Sequence, residues 1–148
     1  MNTNNKKNMP TIIITSGDEA GVGPEIILKA LGSRNLPKNI NIKVIGSKKN
    51  AYSTYELLKS LGIKNIIDPE KIDFKDLHIS NSNINKPSAN SGNASFEYLK
   101  YAIELVKNST NSALVTAPIC KKSWALAGHH FSGQTELLAK LCNTSNVG

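Results

Sequence analysis

Four short stretches of the sequence carry side chains that could do chemistry. The first, Ser16-Gly17-Asp18-Glu19-Ala20-Gly21-Val22-Gly23, sets two carboxylates among three glycines, just before Pro24. Glycine permits close backbone approach to a ligand, and a helix opening at Pro24 would favour an anion. Asp18 and Glu19 would repel a phosphate and suit hydroxyl or ammonium groups instead. A tight structural turn accounts for the same residues equally well. The spacing is not a dinucleotide fingerprint, because Ile26 stands where the third glycine belongs. It is not a Walker A loop either, since the Gly-Lys-Ser/Thr ending is missing.

The second stretch places Thr116 before Lys121 and Lys122. A lysine beyond a strand end can pair with a phosphate or carboxylate; a solvated pair is the plainer alternative. In the third, Gly133-Gln134-Thr135-Glu136, side-chain donors sit at a helix start, where free N–H groups favour anions. The same residues also read as a capping turn with Thr135 as N-cap. The fourth is the adjacent pair His129 and His130. Neighbours on a regular element point apart, and no third ligand lies at metal-site spacing, so no metal set is expected. His78 stands alone. Cys120 and Cys142 form no CxxC pair and read as reduced thiols.

The elements that must position these residues follow from periodicity. Thr11–Thr15 is a β-branched run that predicts a buried strand. Pro24 fits the first position of a helix over residues 25–31, stopped by Gly32. Residues 42–45 predict a second strand, and 51–61 a helix with Leu57, Leu58 and Leu61 on one face. A short strand is expected at 77–79. Phe96, Leu99, Ile103 and Val106 repeat at helical steps and predict a helix over 93–107, capped by Ser91 or Asn93. Residues 113–116 predict a further buried strand, 121–127 a helix, and 135–141 another with Leu137, Leu138 and Leu141 apolar. Strands alternating with helices predict a parallel sheet with helices on its faces. Ligands of such sheets bind beyond the carboxyl ends of the strands, which singles out the loops at 16–23 and 117–122.

Composition narrows the class. A chain of 148 residues can bury roughly two-thirds of its unfolded surface. Hydrophobic residues at 39% and charged residues at 20% exclude a wholly disordered chain. No apolar run approaches the length of a membrane span, and the polar start of the chain lacks a signal-peptide core. The expected location is the cytoplasm, with no membrane partner. The net charge is +7, yet seventeen of the eighteen basic residues are lysines, with Arg34 the exception. They are scattered, and aromatic residues are 5%. Arginine forks and stacking platforms are therefore scarce, and no specific nucleic-acid partner is expected.

Three motifs carry a family resemblance. The stretch from Ile14 to Glu25 resembles the signature T-P-G-[DE]-P-A-G-[IV]-G-P-E of the 4-hydroxythreonine-4-phosphate dehydrogenases of vitamin B6 synthesis, the PdxA family. Leu114-Val115-Thr116-Ala117-Pro118-Ile119-Cys120-Lys121 is similar to that family's V-T-[AG]-P-[IV]-x-K. The run from Ala127 to Ala139 is similar to A-G-x-x-F-x-G-H-T-E-x-L-A. The order and spacing agree over most of residues 11–148.

The resemblance implies a layered α/β/α sheet like that of the isocitrate/isopropylmalate dehydrogenases. Residues 1–10 would be a flexible tail and 11–148 the N-terminal portion, with the second domain absent and the fold incomplete at the C-terminus. It implies NAD- or NADP-dependent, metal-assisted oxidation of 4-phosphooxy-threonine. The 3-oxo acid then decarboxylates to 3-amino-2-oxopropyl phosphate, in pyridoxal phosphate biosynthesis. A homodimer is implied, and a divalent metal (Zn, Mg or Co) whose histidine ligands follow the matched segment. The substrate would be a small phosphorylated amino acid, contacted by Gln134, Thr135 and Lys121. Gly17, Asp18, Gly21 and Gly23 would belong to the active-site loop. Three departures stand out: Ser16 and Glu19 replace two family prolines, and Gln134 replaces a histidine. Two other readings are a related dehydrogenase for another phosphorylated hydroxy acid, and an inactive truncated remnant or partner-binding fragment.

Overall fold

The computed structural model describes residues 9–33, 35–77 and 86–145. Four parallel strands form one sheet in the order β3-β2-β1-β4: β1 (Thr11–Thr15), β2 (Asn41–Gly46), β3 (Asp73–Asp76) and β4 (Ser112–Thr116). Helices α1 (Gly23–Leu31), α2 (Lys48–Ser60) and α3 (Ala89–Lys107) alternate with the strands. The short α4 (Lys121–Leu126) and α5 (Gln134–Leu141) follow β4. The expected tail at 1–10 lies almost wholly outside the described residues.

The two-residue period of the strands sorts the core into layers. On one face Ile14 and Val44 pack with Ile27, Leu28 and Leu31 of α1 and Leu58 of α2. On the other, Ile13 and Ile45 pack with Ala94, Tyr98 and Ala102 of α3. The outer side of α3 presents Phe96, Leu99 and Ile103 to Trp124 of α4 and Leu137 of α5. The expected α/β/α layering is therefore present, with α4 and α5 stacked outside α3.

Several boundaries differ from expectation. Helix α2 starts at Lys48 because the Ser47 side chain accepts from Asn50 N–H. Of its predicted apolar face only Leu58 is buried, while Leu57 and Leu61 are exposed. Helix α3 starts at Ala89, capped by Ser88 rather than Ser91 or Asn93. The third strand is Asp73–Asp76, ahead of the expected 77–79. Leu77 follows it and donates its N–H to Gly46 O at 3.1 Å; residues 78 and 79 lie outside the described residues. Strand β4 lies at a sheet edge, so Ala113 and Val115 are exposed rather than buried. Helix α5 opens at Gln134 with Gly133 as N-cap, so Thr135 is not the cap.

Candidate functional site

The loop after β1 is tied down on every side. Asp18 N–H donates to Pro118 O at 2.9 Å, and Gly21 N–H to Asp18 O at 3.0 Å. The Asp18 carboxylate accepts from Ala20 N–H at 2.9 Å and from Ser123 Oγ at 3.0 Å. Glu19 accepts from the Tyr98 hydroxyl, and its carbonyl accepts from Asn50 Nδ2 at 2.8 Å. The Ser16 hydroxyl donates to Ile45 O at 3.1 Å. Gly17 has φ +66°, and a Cβ there would lie 2.2 Å from Pro118 O, so only glycine fits. Gly23 starts α1.

These bonds give both loop acids partners within the fold. Asp18 and Glu19 are each 4% exposed and turn inward, toward α4 and α3, rather than toward a ligand's hydroxyl or ammonium group. Burying a carboxylate is costly unless donors surround it, and Ser123 and Tyr98 provide them. Burial, reinforced by Glu19, pushes the Tyr98 phenol well above the ordinary tyrosine value.

A cleft of about 440 Å³ opens beside this loop at the carboxyl end of β4, where parallel sheets bind ligands. Lys121, Gln134 and Thr135 all line it, together with Pro118, Ser132 and Glu136. Lys121, the first residue of α4, and Thr135 are exposed. Gln134 donates from Nε2 to Ala117 O at 3.3 Å, while its Oε1 is buried without a partner. The Glu136 carboxyl is held below the usual range by the Ser132 hydroxyl, then by its own backbone N–H, with the Lys121 charge adding to both. An adjoining cleft of about 370 Å³ shares Pro118 and Ile119 and is lined by Asp18, Gly21, Lys86 and Cys120.

The histidines do not join the cleft. His129 stacks on Phe96, with ring centroids 3.7 Å apart, and its Nε2 lies 3.1 Å from Asn93 Oδ1. Burial lowers its pKa. His130 is exposed. Among the described residues no group of three His, Cys, Asp or Glu could hold a metal ion, so they do not fit the divalent metal. In the glycine loop the N–H of Asp18 is bound to Pro118 O and those of Ala20 and Gly21 to Asp18, so these three are not free for a phosphate.

Sequence reasoning missed the residues behind the site. Ser88 donates its N–H to Ser123 Oγ at 3.3 Å, and Ser91 donates its hydroxyl to the same oxygen at 3.3 Å. Trp124 Nε1 donates to Ser95 Oγ at 2.9 Å. Gly92 lets α4 approach α3 so closely that a Cβ there would lie 2.0 Å from Ser123 O. The run of small residues Ser91, Gly92 and Ser95, which share one helix face, was the signal in the sequence.

Known proteins resemble this chain in sequence and fold. The family model described as "Pyridoxal phosphate biosynthetic protein PdxA" matches residues 26–148. The 4-hydroxythreonine-4-phosphate dehydrogenase of Synechococcus sp. (strain JA-3-3Ab) is 38% identical over 144 residues, covering 95% of this chain and 41% of that protein. A protein of Oceanobacillus iheyensis, provisionally named a D-threonate 4-phosphate dehydrogenase, is 40% identical over 146 residues, covering 91% of this chain and 44% of its own. The crystal structure of a 4-hydroxythreonine-4-phosphate dehydrogenase from Burkholderia phymatum superposes with a TM-score of 0.82 at 29% identity. That match covers 93% of this chain and 45% of the other. The chain thus spans less than half the length of these relatives.

Proposed function

Because this chain belongs to the PdxA family, we propose that it supplies the phosphorylated-substrate cleft of a dehydrogenase that oxidises 4-phosphooxy-threonine at its secondary alcohol in pyridoxal phosphate synthesis. The observation that carries this reading is the convergence of Lys121, Gln134 and Thr135 on one cleft beside the glycine loop. The Lys121 ammonium is solvent-facing and suits a phosphate or carboxylate as a point charge. The Thr135 hydroxyl, at the opening turn of α5, can donate to the same anion, where the helix's unpaired N–H groups also favour negative charge. Gln134 is anchored to Ala117 O and contributes hydrogen bonding without a charge of its own.

NAD or NADP would accept the hydride, and a divalent metal would polarise the reacting oxygen. Among the described residues no group of three His, Cys, Asp or Glu could hold that metal. The role of these residues is to bind and orient the phosphorylated end of the substrate. A homodimer and a cytoplasmic setting complete the proposal. Among the described residues no helix is long and apolar enough to cross a membrane.

Calorimetric titration of the chain with 4-phosphooxy-L-threonine tests the reading, alongside NADH formation by the natural gene product with metal and NAD⁺. Binding that weakens about tenfold in K121M is expected from a lost charge-assisted contact. Equal binding by K121M and the parent chain would refute the assignment. The Oceanobacillus iheyensis relative motivates a second reading, in which the substrate is D-threonate 4-phosphate. Preferential binding of that compound over 4-phosphooxy-L-threonine would select it.

A further inference from the structure

We infer that Asp18 is a positioning residue for the Lys121 cleft: it holds helix α4, and with it Lys121, against the loop after β1 through Ser123. The inference rests on the proposed reading that Lys121 meets the substrate's anionic group.

Helix α4 has only six residues and no side-chain cap at Cys120, so its own hydrogen bonds fix its direction weakly. Its pose comes from two buried side chains. Trp124, wholly buried, anchors it to α3 through Ser95. Ser123, also wholly buried, faces Asp18 across 105 positions of sequence, 3.0 Å from Oδ2. A carboxylate can only accept, so the Ser123 hydroxyl donates to Asp18 and its oxygen accepts from its other neighbours; the single Ser91 hydroxyl hydrogen has Ser88 O at 3.2 Å as an alternative acceptor. Ser88 Oγ donates to Ser91 Oγ at 3.2 Å, Ser91 Oγ to Ser123 Oγ at 3.3 Å, and Ser123 Oγ to Asp18.

Asp18 also fixes the other wall of the cleft. Its N–H holds Pro118 O at 2.9 Å, and Pro118 lines the space between Lys121 and Gln134. A single residue therefore bonds to both ends of the segment 118–123 that carries Lys121. An asparagine at position 18 would keep the shape and the backbone bond. It would set an amide NH₂, a donor, against either Ser123 or Ala20 N–H, both of which donate now.

The test combines amide hydrogen exchange with binding in D18N, S123A, K121M and the double variants. Faster exchange at Trp124 and Ala127 is expected in D18N and S123A, with α1 and β2 unaffected, and D18N/S123A should exceed neither single variant at these amides. D18N should raise the Kd for 4-phosphooxy-L-threonine about tenfold in the parent chain and leave it nearly unchanged in K121M. Unaltered α4 exchange in both D18N and S123A would overturn the inference. So would D18N and K121M losses that multiply independently. If the parent chain binds no 4-phosphooxy-L-threonine, the substrate reading fails, and the exchange data alone decide whether Asp18 holds α4. S123A keeps the question answerable if D18N does not fold.

Discussion

Replacing Gly92 by alanine puts the α3–α4 contact to a quantitative test. The added Cβ would lie 2.0 Å from Ser123 O, 2.3 Å from Ser123 C and 2.8 Å from Trp124 N. Carbon and oxygen rarely approach closer than about 3.3 Å, so α4 must retreat by roughly 1 Å. The bonds from Ser88 N–H and Ser91 Oγ to Ser123 Oγ are already 3.3 Å long, and that retreat breaks both. Two lost bonds cost about 2 kcal/mol and overpacking about 1–3 kcal/mol. The better helix propensity of alanine offsets about 1 kcal/mol. The net expectation is a destabilisation of about 2–4 kcal/mol. With a urea slope of about 2 kcal/mol per molar, the unfolding midpoint should fall by about 1–2 M. Trp124 is the single tryptophan of the chain, so its fluorescence follows unfolding at this contact, and a red-shifted native emission should accompany the loss. The exposed neighbour Asn90 controls for helix effects, N90A being expected within about 0.5 kcal/mol of the parent. A G92A midpoint equal to or above that of the parent would refute the close-packing argument.

Three further outcomes are expected. Ser95→Ala leaves Trp124 Nε1–H buried without its acceptor and should cost about 1–3 kcal/mol in the same urea titration, whereas an unchanged midpoint would mean that the indole finds another partner. The folded Tyr98 pKa lies above the unfolded value, so its contribution is complete below about pH 10 and declines as pH rises beyond it; Tyr98→Phe should flatten that alkaline decline, and a slope identical to the parent's would contradict the buried Tyr98–Glu19 contact. The His129 pKa is lowered mainly by burial, so the unfolded chain takes up the proton first and stability should fall as pH drops below about 6.5; His129→Phe, which keeps a ring over Phe96, should weaken that acid slope, as thermal melts across the range would reveal.

Much of the architecture was legible because its signals are local. The Ile12-Ile13-Ile14 run, the glycine loop before Pro24 and the stripe at Phe96, Leu99 and Ile103 each carry their own periodicity, and each lies where expected. Strand β3 was missed because Asp-Phe-Lys-Asp carries one apolar residue and pairs only at a sheet edge. The start of α3 was missed because Ala89 to Gly92 is small and polar, a composition that reads as loop until α4 is seen packed on it. Leu57 and Leu61 satisfy a helical stripe yet face solvent, since a stripe does not say how much of its width a neighbour covers. The places of Lys121, Gln134 and Thr135, after a strand and at helix starts, were legible, and the three line one cleft. The inward turn of Asp18 and Glu19 was not, because their partners, Ser123 and Tyr98, lie 105 and 79 positions away.

The place of β1 between β2 and β4 has a consequence for the order of assembly. Pairing β1 with β2 closes a loop of roughly thirty residues, and pairing it with β4 closes one of roughly a hundred, at about 1 kcal/mol more in chain entropy. The half-sheet of β1, β2 and β3 with α1 and α2 can therefore gather before β4 arrives, since distant contacts form late. Everything that shapes the cleft waits for that arrival: Ala117, Pro118, Lys121 and Gln134 all follow β4 in the chain. The cleft is then the last feature shaped in folding, and mild denaturation should open it while α1 and α2 remain on the half-sheet.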